Sequence, residues 1–194
     1  MPESTQRRSA LEAVYKEGSF GTNHGLTLCE RRPLTLFDIG GDATDTAFLT
    51  AAETALDVPL PLEPNTVISA DTRRILWLSP SRWLAVDSAS DFDVAPFPGG
   101  SVNNVSSGRT IIRLRGPKLR DVLAKGCPLD LHPKSFRFAQ CRQSKFGSLN
   151  ITLDHIDDQT FDIYIARGFA RVLWEGLSEA SEEYGYQVLP ADPG

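Results

Sequence analysis

The chain has 194 residues, 41% of them hydrophobic and 23% charged, with a formal net charge of −5 at pH 7. That length suits one large domain or two small ones, with a core able to bury roughly 70% of the unfolded surface. The acidic balance, with no basic run longer than two residues, excludes a nucleic-acid surface, and the short apolar runs exclude a membrane-spanning helix.

In chain order, residues 1–33 are polar and carry a sparse apolar set, Leu11, Val14 and Tyr15. These are too few to fold alone, so the stretch is expected to be an N-terminal arm docking on a partner. It lacks an apolar signal core, which predicts a cytoplasmic protein. The main domain is expected over 34–190, as two intertwined halves at about 34–90 and 102–190. Its first strand covers 33–39 and stops at Gly40-Gly41. A helix from Asp42 to about Leu56 follows, with Asp42 as N-cap and Asp45 in the first turn. Ala43, Ala47, Phe48, Ala51 and Ala55 share one face at helical spacing. Three prolines make 57–65 a connector. Strands over 73–79 and 81–87 are joined by a turn at Pro80, and a second connector, 91–101, is the candidate boundary between halves.

The second half starts with a strand over 109–116. Gly116-Pro117 opens a short helix with Leu119, Val122 and Leu123 inward and Gly126 placed for a left-handed C-cap. Strands follow over 136–147, 148–156 and 161–166. In the last two, Leu149, Ile151 and Leu153 alternate with Asn150, Thr152 and Asp154, while Phe161, Ile163 and Ile165 alternate with Asp162 and Tyr164. The final helix, from about Gly168 to Tyr184, turns Phe169, Leu173, Leu177 and Ala180 inward, and a short closing strand is expected at 186–190. The order predicts an α+β fold of ferredoxin-like β-α-β-β units, antiparallel sheets with helices on one face. The halves read as distant repeats of one plan.

"CPLDLHP" places Cys127, Asp130 and His132 within six positions. Zinc would require C-x₂₋₄-C or H-x₃₋₅-H spacing, which is absent; His24 and His155 lie far off. A cysteine nucleophile would require a base and an electropositive setting. The alternative is a loop in which Gly126 ends the helix, Cys127 tucks its thiol beneath it and Asp130 bonds nearby backbone N–H groups. Gly40-Gly41 lacks both phosphate-loop patterns, and Asp42 and Asp45 put negative charge where an anion would sit. Asp157-Asp158 reads as a solvated turn, and the pairs Arg7-Arg8, Arg31-Arg32 and Arg73-Arg74 as solvated faces. Trp77, Trp83 and Trp174 read as core or interface anchors. Cys29, Cys127 and Cys141 suit buried thiols in a reducing compartment. No residue is nominated as catalytic, cofactor-binding or metal-ligating, and a docking arm beside no evident site suggests a subunit of something larger.

The segments "ILWLSPSRWLAV" (75–86), "VSSGRTIIRLRGPKLRDVLAKGCPLDLHP" (105–133) and "FDIYIARGFARVLWEGLSEASEEYG" (161–185) resemble the gamma subunits of heterotetrameric sarcosine oxidases. The resemblance covers about residues 34–189. It implies an aminomethyltransferase-like, folate-binding-domain-like fold and a place in an α-β-γ-δ flavoenzyme. That enzyme oxidises sarcosine to glycine, releasing the methyl group as formaldehyde or passing it to tetrahydrofolate while oxygen becomes hydrogen peroxide. It further implies that FAD, FMN, NAD, zinc and tetrahydrofolate sit on the alpha, beta and delta partners. This chain would hold none and would pack closest to alpha as a non-catalytic structural subunit. Folate-dependent relatives carry a "KGCYxGQE"-like motif; here Lys125-Gly126-Cys127 continues as "PLDL", without the Gly-Gln-Glu. Two alternatives stay open: a stand-alone tetrahydrofolate-dependent one-carbon enzyme or folate-binding protein, and an enzyme using Cys127. The N-methyl amine is likewise open, since related complexes act on other methylated amino acids.

Overall fold

A computed structural model of the protein describes residues 8–23, 25–89 and 92–192, and among them twelve strands form two sheets. The smaller comprises β3 (Thr35–Gly41), β4 (Val67–Ala70), β5 (Arg73–Ser79), β6 (Arg82–Asp87) and β7 (Gly100–Asn104), in the order β4-β5-β6-β3-β7. The larger draws β1 (Gly18–Phe20), β2 (Leu26–Glu30) and β12 (Tyr186–Val188) from the chain ends. It adds β8 (Arg109–Arg115), β9 (Cys141–Phe146), β10 (Leu149–Asp157) and β11 (Thr160–Ala166), in the order β1-β12-β2-β8-β11-β10-β9. β12 runs parallel to β2; the other pairs are antiparallel.

Strand side chains point to alternate faces, and that period sorts them into three cores. On β6, Trp83 and Ala85 pack with Phe48, Ala52 and Leu56 of α1 (Thr46–Leu56), covering the outer face of the smaller sheet. Leu84 and Val86 point the other way and meet Ile111, Cys141 and Tyr164 of the larger sheet. Ile112, Leu114, Phe161 and Ile163 face outward onto α2 (Leu119–Ala124) and α3 (Ala170–Ser181). The result is four layers: helix, sheet, sheet, helices. Each sheet therefore carries its helices on one face, as the α+β reading expects. The orders β4-β5-β6-β3 and β9-β10-β11-β8, each with its helix after the first strand, repeat one plan.

Several boundaries differ from the sequence reading. Residues 8–33 are no projecting arm: Leu11 is fully buried in the chain's own core, and β1 and β2 join the larger sheet. The Tyr15 hydroxyl donates to the Leu189 carbonyl at 2.6 Å and accepts from the Glu30 amide at 3.0 Å. The halves part after Asn104 rather than at 91–101, because β7 pairs with β3. Helix α1 is capped by Asp45, which accepts from the Ala47 amide at 2.9 Å. Asp42 is engaged one turn earlier by the amide and hydroxyl of Thr44. The buried residues of α1 are Phe48, Ala52 and Leu56; of the expected face Phe48 is buried, Ala51 and Ala55 are half-buried, and Ala47 is exposed. Phe169 precedes the first turn of α3 and stands 57% exposed; Trp174 takes the inward place. Short, half-exposed β4 lacked a sequence signal.

Candidate functional site

Lys125, Gly126 and Cys127 each have a structural task. The Lys125 ammonium donates to the Ala180 carbonyl at 2.6 Å and pairs with Glu183 at 2.6 Å, tying α2 to the end of α3. Gly126 is not left-handed, so the C-cap expectation fails. Glycine is required there by closeness: a Cβ would lie 2.8 Å from the Phe146 ring. Cys127 buries its thiol among the core side chains, with Sγ 3.6 Å from the Ser144 hydroxyl.

Asp130 accepts from the Ser135 hydroxyl at 2.5 Å and the His132 amide at 3.0 Å, which holds its carboxyl below the usual range. The His132 Nδ1 accepts from the Lys134 amide at 3.2 Å. Thus Asp130 and His132 organise the loop, while the thiol turns into the core, and no hydrogen bond joins Cys127 to His132 among the described residues. Burial raises the pKa of Cys29 to about 11 and of Cys141 to about 12, keeping both protonated. Buried His155 packs at a tilt against the rings of Phe136 and Phe161, its Nε2 3.4 Å from the Arg120 guanidinium; burial, followed by that charge, lowers its pKa and keeps it neutral. Among the described residues no group of three or more His, Cys, Asp or Glu side chains could hold a metal ion.

A network of buried charge lies between the sheets. Of the polar members of the β10 and β11 alternation, Asn150 is exposed, but Thr152, Asp154 and Asp162 are buried, and Asp154 and Asp162 are both 0% exposed. Asp154 receives both prongs of Arg74, Nε at 2.8 Å and Nη2 at 2.7 Å, from β5 of the opposite sheet. Asp162 accepts from Arg113 at 2.7 and 2.9 Å and from Arg31 at 2.6 Å. Such forked, charge-assisted bonds fix geometry as well as charge. Burial pushes the Asp154 carboxyl up against the pull of Arg74; for Arg74, burial pulls down but the Asp154 bonds outweigh it. Arg31, buried, and Arg74, half-buried, both read from sequence as solvated, are the partners of these acids. Mid-strand acids at Asp154 and Asp162, in a chain with basic pairs elsewhere, were the available signal.

The turn aspartates behave as expected: Asp157 accepts from the Gln159 amide at 2.9 Å between β10 and β11. Gly40-Gly41 is a close-packed junction, since a Cβ at Gly41 would fall 2.2 Å from the Phe48 ring. Trp83 is buried with its indole N–H on the Pro61 carbonyl at 2.8 Å.

Known proteins share this arrangement. A sarcosine oxidase subunit gamma from Corynebacterium sp. (strain P-1) is 27% identical over 196 residues, covering 96% of each chain. One from Arthrobacter sp. is 30% identical over 141 residues, covering 69% of this chain and 70% of the relative. Among solved structures, a chain of the heterotetrameric sarcosine oxidase from Corynebacterium sp. U-96 in complex with pyrrole 2-carboxylate superimposes with a TM-score of 0.80 at 23% identity. The match covers 92% of this chain and 96% of that one. Glycine cleavage system aminomethyltransferase T from Bartonella henselae matches with a TM-score of 0.58 at 17% identity, over 88% of this chain and 48% of that one. At those identities the structures speak for the fold, and they bear out the aminomethyltransferase-like expectation. The model of the sarcosine oxidase gamma subunit family matches residues 40–183, taking in α1, α2, α3 and the Cys127 loop that follows α2. On that span, the chain belongs to the sarcosine oxidase gamma subunit family.

Proposed function

We propose that this chain is the structural gamma subunit of a heterotetrameric sarcosine oxidase, an assembly that oxidatively demethylates sarcosine to glycine. The carrying observation is end-to-end correspondence: a gamma subunit aligned over 96% of both chains, with the same fold in a chain solved within a heterotetramer. FAD, FMN, NAD, zinc and tetrahydrofolate belong on the partners, and this chain supplies a rigid surface that holds the alpha subunit in place. Two features support a scaffold. Lys125, Gly126 and Cys127, the remnant of the folate-relative motif, serve helix docking and core packing. Phe169 and Val172, one helical turn apart at the start of α3, are 57% and 55% exposed and suit burial against another chain. No helix is long and apolar enough to cross a membrane among the described residues. Three buried free cysteines suit a reducing cytoplasm.

The test is co-expression of the tagged chain with its alpha, beta and delta partners. The reading predicts co-purification of all four and a weaker yield of complex from Phe169→Glu/Val172→Glu. Tetrahydrofolate titrated into the chain alone should give no calorimetric heat. A chain that ignores its partners and binds folate would be a stand-alone folate protein instead.

A further inference from the structure

At the mouth of the sandwich, where β2 leads into β3 and the turns before β8 and α3 come together, lies a cleft of about 140 Å³. Five arginines line it, Arg8, Arg31, Arg32, Arg109 and Arg167, with Glu30 the lone acid among the lining residues. In a chain whose net charge is −5, that is a local reversal of sign.

The charges do not balance within the cleft. Arg31 donates to Asp162 at 2.6 Å and Arg32 to Glu30 at 2.8 Å, and the Glu30 carboxylate also accepts from the Ser9 hydroxyl at 2.6 Å. The lone acid is therefore engaged. Arg167 donates to the carbonyl of Arg8 at 2.7 Å, which pins the N-terminal segment beside the cleft without neutralising either guanidinium. Among the described residues no carboxylate lies within ion-pair distance of Arg8, Arg109 or Arg167. Three uncompensated cations on one cleft repel one another, and the apolar walls from Leu34, Leu36 and Ile111 weaken the screening. A bound anion relieves that repulsion, and guanidinium forks match the paired oxygens of carboxylate and phosphate.

We infer that this cleft binds a compact oxyanion, a carboxylate or phosphate group, through Arg109 and Arg167 with Arg8 at the rim. Size supports the compactness: where one water takes up roughly 10–15 Å³, the cleft admits an oxyanion with some hydration but no pterin or nucleotide.

The experiment titrates the full chain with inorganic phosphate and, separately, with sodium acetate, each against sodium chloride at matched ionic strength, reading the thermal midpoint. Binding at ~100 times Kd should raise the midpoint by several degrees over chloride. A response to phosphate alone identifies a phosphoryl ligand, and one to acetate alone a carboxylate; either supports the site. Arg109→Gln/Arg167→Gln should weaken binding roughly ten-fold or more, the loss of at least one charge-assisted hydrogen bond. Arg109→Lys, which keeps the charge and loses the fork, gives a second reading if the double variant unfolds, and should weaken binding several-fold. Shifts no larger than those of chloride overturn the inference. So does binding by the folded double variant, or by Arg109→Lys where that variant alone folds, equal to that of the unaltered chain.

Discussion

The two halves lay out one strand plan but bury different chemistry within it. The first half completes its outer layer by itself: α1 has eleven residues, a side-chain cap at Asp45, and an apolar layer built on Phe48 and Trp83. It holds two acid–base pairs of its own: Asp38 with Arg82, whose side chain is 59% exposed, and fully buried Asp87 with Arg73 at 2.8 Å. The second half has a six-residue α2 without a side-chain cap and needs a further helix, α3, to finish its outer core. It also borrows charge, since Asp154 takes Arg74 from the first half and Asp162 takes Arg31 from the N-terminal segment. Duplicated topology thus does not mean duplicated energetics. The first half finishes its outer core with its own helix, whereas the second takes a further helix and part of its charge from outside its repeat. Between the sheets the two share one core, Leu84 and Val86 against Ile111, Cys141 and Tyr164.

The largest expected effect comes from breaking that borrowed charge. Asp162→Ala leaves two buried guanidiniums facing each other and should cost about 3–5 kcal/mol in urea unfolding. Arg82→Ala, which removes a side chain 59% exposed from a carboxylate 7% exposed, should cost less, about 1–3 kcal/mol. Similar losses for the two would erase the contrast between the halves. A double replacement, Arg74→Met/Asp154→Leu, sharpens it: removing both charges should be much milder than Arg74→Met alone, which strands a buried carboxylate.

Next in size is Gly126→Ala, where overpacking against the Phe146 ring should cost about 1–3 kcal/mol. Phe146→Leu in the same chain should recover part of it, which a left-handed cap would not permit. Smallest is Asp45→Ala, about 1 kcal/mol through the lost N-cap of α1. Since α2 has no such cap, Lys118→Ala should leave stability nearly unchanged.

The strands over 73–79, 81–87, 109–116 and 161–166 were legible because alternating or continuous apolar runs between turn residues leave little else to form. The family was legible in the run from Val105 to Pro133. What alternation could not reveal is what covers the polar side. Thr152, Asp154 and Asp162 would read alike beneath solvent or beneath another sheet, and only the second sheet's Arg74 distinguishes the cases. Residues 8–33 looked like an arm because their partners, Leu189 for Tyr15 and Asp162 for Arg31, lie far along the chain. Asp42 and Asp45 both satisfy cap chemistry on paper, and the choice rests on Thr44 engaging the first. Gly126 carried the signature of a helix stop, yet its reason is a ring contributed by β9.

The central claim is that this chain contributes shape to a redox assembly whose chemistry resides in its partners. The most direct measurement is the visible absorption spectrum of the chain purified alone, set beside that of the four-subunit complex drawn down by a tag on this chain. The account predicts flavin absorbance in the complex and a colourless isolated chain. A flavin spectrum from the chain alone, or a colourless complex that nonetheless turns over sarcosine, would contradict it.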